Sequence, residues 1–171
     1  LLGGSIGKIR AYGSSMKRDI TPQEEAQRLC HLRDTFGFNA FKFRIGSECG
    51  EGKDEWEGRT EEIINVVPKA LGNGVEKLVD ANSCYLHEDA IEISKKLIDN
   101  DICHFEEPCP YWLPEETKKV TDAISIDVTG GEQDCDLRVW HDLIDRKITD
   151  IFQPDIMYMG GLTRSLKVAE M

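Results

Sequence analysis

Asp80, Glu106, Glu132 and Asp155 each follow a short apolar run, and they stand 26, 26 and 23 residues apart. The runs read Val79-Asp80-Ala81-Asn82, Phe105-Glu106-Glu107-Pro108, Gly130-Gly131-Glu132-Gln133 and Gln153-Pro154-Asp155. A regular step of this size places the acids at equivalent points of a structural repeat. Three carboxylates brought together repel one another unless a cation neutralises them. Oxygen-only ligands suit a hard ion, Mg²⁺ first and Mn²⁺ next. The plainer alternative is a set of solvated acids in accidental register. Upstream, Lys42-Phe43-Arg44 closes another apolar run. Alternation at period 2 puts Lys42 and Arg44 on one face and Phe41 and Phe43 on the other. Two cations facing inward need anions, and a substrate carboxylate would supply one.

The elements that must position these residues alternate regularly. Strands are expected over 8–12, 40–45, 75–79, 102–105, 124–128 and 148–152. Helices are expected from Thr21-Pro22 to Gly37, 54–70, 87–100, 114–123, 134–146 and from 162 to 171. Thr21 is a helix cap with Pro22 at the first position and Glu24 and Glu25 in the first turn. Strands separated by such helices pair in parallel, which gives an α/β fold. A doubly wound sheet would carry a Gly-rich phosphate turn after its first strand. Here that turn is Gly13-Ser14-Ser15-Met16-Lys17, which is not one. A parallel (β/α) barrel instead expects its chemistry at the C-terminal ends of several strands, and that is where the acids fall.

Composition excludes other classes. The 171 residues carry 21 Lys+Arg against 32 Asp+Glu, a formal charge of −11. That opposes nucleic acid and anionic membrane surfaces as partners. No apolar run approaches the roughly 20 residues of a spanning helix. Leu1-Leu2-Gly3-Gly4 has no basic region and no long apolar stretch, so it does not read as a signal peptide. Cys30, Cys49, Cys84, Cys103, Cys109 and Cys135 form no CxxC pair, which reads as reduced thiols in a cytoplasmic protein. His31 and His141 fall on helices as surface or packing residues. His104 alternates with Glu106 as a core or supporting residue, and His87 lies near the rim of the site. Trp56, Trp112 and Trp140 read as packing residues, with Tyr111-Trp112 at the mouth of the site.

The motifs together resemble the enolase superfamily, mandelate racemase/muconate lactonizing enzyme family, mandelate racemase subgroup. They are KxR at Lys42 and Arg44, DxN at Asp80 and Asn82, EEP at Glu106 to Pro108, GGEQ at Gly130 to Gln133, Gln153-Pro154-Asp155, and Met159 to Thr163. The resemblance covers nearly the whole chain and implies part of a modified (β/α)₇β TIM-like barrel. Residues 1–171 would be barrel units one to six of the catalytic domain, lacking the N-terminal capping domain and strands seven and eight. It implies Asp80, Glu106 and Glu132 as Mg²⁺ ligands, Glu107 as a support and Asn82 as a substrate contact. It implies Lys42 and Arg44 as catalytic groups, Lys42 also as a substrate contact, and Asp155 as the acid of a dyad with a strand-seven histidine. The implied chemistry removes the proton alpha to a carboxylate through a metal-stabilised enediolate. Arg44 is always charged and cannot be the second base of a racemase. The expectation is therefore dehydration of an acid sugar, with racemisation, epimerisation or cycloisomerisation as the alternative. A non-catalytic fragment is the alternative from another class. A small-molecule carboxylate is the expected partner, and a homo-oligomer the expected state of the full-length protein.

Overall fold

The strands line up in one parallel sheet in their order along the chain, β1-β2-β3-β4-β5-β6. A doubly wound sheet reverses its strand order at a switch point; here every strand pairs with its successor, the progression of a (β/α) barrel. The computed structural model describes residues 4, 5 and 7–171, so most of the Leu1–Gly4 segment lies outside the described residues. The strands are β1 (Gly13–Ser14), β2 (Ala40–Arg44), β3 (Glu76–Asp80), β4 (His104–Glu106), β5 (Asp127–Gly130) and β6 (Ile151–Phe152). The helices are α1 (Pro22–Phe36), α2 (Arg59–Leu71), α3 (His87–Asp99), α4 (Pro114–Ala123), α5 (Leu137–Asp145) and α6 (Leu162–Ala169). No helix among the described residues is long and apolar enough to cross a membrane.

Boundaries moved in one direction. The first strand, expected over 8–12, pairs only at Gly13–Ser14, and Ile9 is 92% exposed. The last three strands also begin two or three residues later than their apolar runs. The apolar residues entering the last three strands, Ile102, Ile124, Ile126 and Ile148, belong to the core clusters, and the backbone ladder forms only further along, so there hydrophobicity marks the approach to a strand better than its paired part. The second helix starts at Arg59 and not at 54, because Asp54 accepts from Thr60 N–H at 2.6 Å and ends the preceding turn.

The main core lies between sheet and helices. Phe41, Phe43 and Phe105 on the strands meet Leu29, Ile63, Ile64, Val67 and Leu97 on the helices, all buried. A second cluster gathers Trp140, Leu143, Ile148, Met159 and Val168 under β6. Two local devices fix the outer layer. Thr21 Oγ1 accepts from Glu24 N–H at 3.2 Å, and Glu24 Oε2 accepts from Thr21 N–H at 2.8 Å, a reciprocal cap. Thr21→Ala should lower unfolding stability by about 1 kcal/mol in urea titration.

At the other device, His87 at the start of α3 meets Glu116 of α4 at 2.5 Å, and Lys119 bonds the same carboxylate at 2.7 Å. The bonds from Lys119 and His87 hold Glu116 down to about 2. A depressed carboxylate stabilises the fold above its unfolded value and loses that contribution as the pH falls through the folded one. Glu116→Gln should therefore be less stable than wild type at pH 7, with the difference closing between about pH 5 and pH 2. Acid titration of thermal midpoints checks this; a constant difference would refute it.

Candidate active site

Parallel pairing sets Arg44 beside Asp80, Asp80 beside Glu106, and Glu106 beside Thr129. One transverse row thus crosses β2, β3, β4 and β5 at their C-terminal ends. Its charged members are nearly dry: Arg44 is 6% exposed, Asp80 0% and Glu106 1%, with Lys42 one pleat below at 5%. The expected alternation holds, since Phe41 and Phe43 go to the helical core.

Buried charges survive only when paired, and these are. Lys42 Nζ bonds Glu106 and lies 3.4 Å from Asp80 Oδ2. Arg44 Nη1 bonds Asp80 Oδ2, and its Nη2 contacts Met16 Sδ at 3.0 Å. Gln153, just after β6, donates to Glu106 Oε2 at 3.0 Å. His104 Nε2 stands 2.9 Å from Thr129 Oγ1 and 3.8 Å from Glu106, the supporting place expected of it.

The electrostatics follow from crowding. Burial, then the neighbouring Glu106 charge, lift Asp80 above the usual carboxylate range. Burial also acts to raise Glu106, but His104, Lys42 and Gln153 outweigh it and hold Glu106 low. Burial would lower Lys42, and the Glu106 and Asp80 charges overcome it, so its ammonium is held on. Glu107 is pushed up to about 8 by burial and by the charges of Asp80, Glu132 and Glu106.

Glu132 corrects the even spacing read from the sequence. The β5 residue in the row is Thr129, and Glu132 follows three positions later, half-buried in the loop beyond Gly131. The steps of 26 residues are therefore not equivalent: one spans strand to strand, the other strand to loop. Among the described residues, no three His, Cys, Asp or Glu side chains are gathered closely enough to hold a metal ion. Asp80 and Glu106 are instead drawn onto Lys42 and Arg44.

The donor chemistry of the row nevertheless suits a hard cation. Asp80 and Glu106 offer only oxygen, the Glu106 charge raises the cost of ionising Asp80, and Gln153 Oε1 beside them is buried without a hydrogen-bond partner. Glu107 turns elsewhere, lining a cavity of about 30 Å³ with Thr129, Asp134 and Phe152. Asn82 adopts a left-handed backbone (φ 41°), and its N–H donates to Asp80 Oδ1 at 2.8 Å. Asp155 Oδ1 accepts from Met157 and Tyr158 N–H at 2.7 and 2.9 Å, closing the turn after β6.

Residues 23–171 match the Enolase C-terminal domain-like family. The chain belongs to that family. Its relatives include dehydratases, a cycloisomerase and epimerases. The arabinonate dehydratase of Saccharolobus solfataricus is 28% identical over 177 residues, covering all of this chain and 44% of that enzyme. A Roseobacter denitrificans structure described as a candidate racemase is 61% identical with a TM-score of 0.97, over 99% of this chain and 46% of that one. An enolase-type protein from Bradyrhizobium, solved with magnesium and mandelic acid, is 26% identical with a TM-score of 0.85, over 99% and 44% of the two chains. The chain thus spans under half the length of the relatives it matches.

Three site residues had no role in the sequence reading. Gln153 sat inside a motif, but its contact to Glu106 crosses 47 positions. Arg18 and Arg59 lie outside every motif, in the loop after β1 and at the head of α2. Of the residues expected near the rim, His87 is spent on Glu116, Trp112 lines cavities among the outer loops with Leu86 and Leu113, and Tyr111 lines the cavity that Glu107 and Thr129 share.

Proposed function

We propose that residues 1–171 form barrel units one to six of an Mg²⁺-dependent enzyme that removes the proton alpha to a carboxylate, and that its net reaction is dehydration of an acid sugar. The observation that carries this is the buried, hydrogen-bonded row Lys42–Glu106–Asp80–Arg44. Asp80, Glu106 and the loop acid Glu132 would hold the ion, with Mn²⁺ as a substitute. When bound, the ion supplies positive charge where the substrate carboxylate becomes more negative.

The remaining roles fall to the chain itself. Lys42 places an ammonium beside the same oxygens and donates to developing charge. Arg44 fixes Asp80 and cannot take a proton, because a guanidinium is already protonated at every pH up to roughly 12. That supports chemistry from one face of the substrate, as in dehydration, over two-base racemisation. Asn82 stands next to Asp80 for a substrate hydroxyl, Glu107 supports the strand end, and Asp155 orients groups beyond β6. The relatives named as sugar-acid dehydratases add weight. The Roseobacter neighbour is the observation favouring a racemase.

The test is the full-length protein with Mg²⁺ and a panel of aldonic and aldaric acids. Formation of a 2-keto product, read by semicarbazide absorbance, supports dehydration. Deuterium wash-in at the alpha carbon without net dehydration would replace it with racemisation or epimerisation. Neither signal from any acid would overturn both.

A further inference from the structure

We propose that Arg18 is an anion-binding arm of this site, and that the substrate is a dicarboxylate whose non-reacting carboxylate Arg18 receives. The inference deepens the acid-sugar reading and rests on it for the reacting carboxylate.

Arg18 follows Met16 and Lys17 in the loop leaving β1. Its Nε and Nη2 are buried and have no hydrogen-bond partner. Those two N–H groups share one edge of the guanidinium, the edge that grips a carboxylate side-on through two parallel bonds. A buried charged donor without a partner is costly, and an anion at that edge removes the cost. The other arginines of the site each leave Nε buried without a partner, but their terminal nitrogens are engaged. Arg44 is bonded to Asp80, and Arg59 donates from Nη1 to the Arg44 carbonyl at 3.0 Å.

The loop that carries Arg18 is tied to the end of β2. Arg59 is fully buried, faces the Trp56 ring with its guanidinium carbon 5.2 Å from the centroid, and reaches the Lys17 carbonyl with Nη2 at 3.5 Å. One guanidinium thus ties the backbone just before Arg18 to the end of β2. Arg18 lies within the field of Arg44 and Asp80, and of the loop acids Glu48 and Glu55, without bonding any of them. Burial, then the Arg44 charge, pull it below the usual arginine range, as expected of a cation that lacks its anion. Lys42 and the acid row address one carboxylate; Arg18 is the cation left over for a second.

The test is equilibrium binding by calorimetry, with Mg²⁺ present, of adipate against monomethyl adipate, a ligand of the same length with one charge removed. Wild-type full-length protein should bind adipate at least about tenfold more tightly, the worth of one charge-assisted bond. Arg18→Gln should bring the ratio close to one. Arg18→Lys, which keeps the charge and loses the fork, should fall between. Equal affinities in the wild type, no adipate binding at millimolar concentration, or a ratio unchanged in Arg18→Gln would each overturn the proposal. Turnover is not read, so a protein that prefers adipate yet dehydrates no sugar acid would defeat the functional reading alone.

Discussion

Glu106→Gln in the full-length protein should weaken Mg²⁺ binding at least tenfold and lower turnover by about a thousandfold or more, the scale of losing a main electrostatic contributor to a transition state. Glu106 is held from three sides. It bonds Lys42, accepts from Gln153 at 3.0 Å and faces His104. Gln keeps the size and one carbonyl oxygen, so packing survives while the charge does not. Lys42 keeps Asp80 at 3.4 Å as an ionic partner, which limits the stability loss to about 1–3 kcal/mol. Calorimetry with Mg²⁺ and steady-state assays on the same preparation check both halves. Glu61→Gln, on the exposed side of α2, is the control and should change neither. Unchanged Mg²⁺ affinity in Glu106→Gln would remove Glu106 from the ligand set.

Gly131→Ala should cost about 2–6 kcal/mol of unfolding stability. Two effects add. Gly131 has φ +104°, a backbone that other residues adopt only with strain of about 1–3 kcal/mol. A Cβ there would also sit 2.6 Å from Trp140 Cη2, an overpacking term of about 1–3 kcal/mol. Trp140 cannot give way easily. It is fully buried in the second core cluster, and its Nε1 donates toward the Asp134 carbonyl and Met159 Sδ, each at 3.1 Å. Gly37→Ala separates the terms, because Gly37 also has positive φ (+72°) but open space around it. Urea unfolding should show Gly131→Ala losing clearly more than Gly37→Ala; equal losses would mean that Trp140 moves aside. Since Glu132 is the next residue, Gly131→Ala should also weaken Mg²⁺ binding.

Much of this molecule is written locally. The Thr21-Pro22-Gln23-Glu24 start of α1 was legible because a cap is satisfied within four residues. The inward pair Lys42 and Arg44 was legible because a strand's two faces alternate whatever its partners are. The succession of strand and helix, and the acids at strand ends, were legible for the same reason: each is a pattern within one repeat.

What sequence alone left open depends on pairing between repeats. Spacing suggested that Glu132 matches Asp80 and Glu106, yet the register seats Thr129 in the row and leaves Glu132 in the loop. Gln153 reached Glu106 only once β6 had docked beside β5. Arg18 and Arg59 belong to no periodic pattern, so nothing local marked them; only the approach of the β1 loop to the end of β2 brings them to the site. By itself the sequence determined which residues of β2 face inward and that acids gather at and just beyond the C-terminal ends of strands, because periodicity and capping act over a few residues. Only the tertiary structure decided which of those groups meet, because hydrogen-bond register couples segments more than twenty residues apart and a shift of one residue would turn every side chain to the other face.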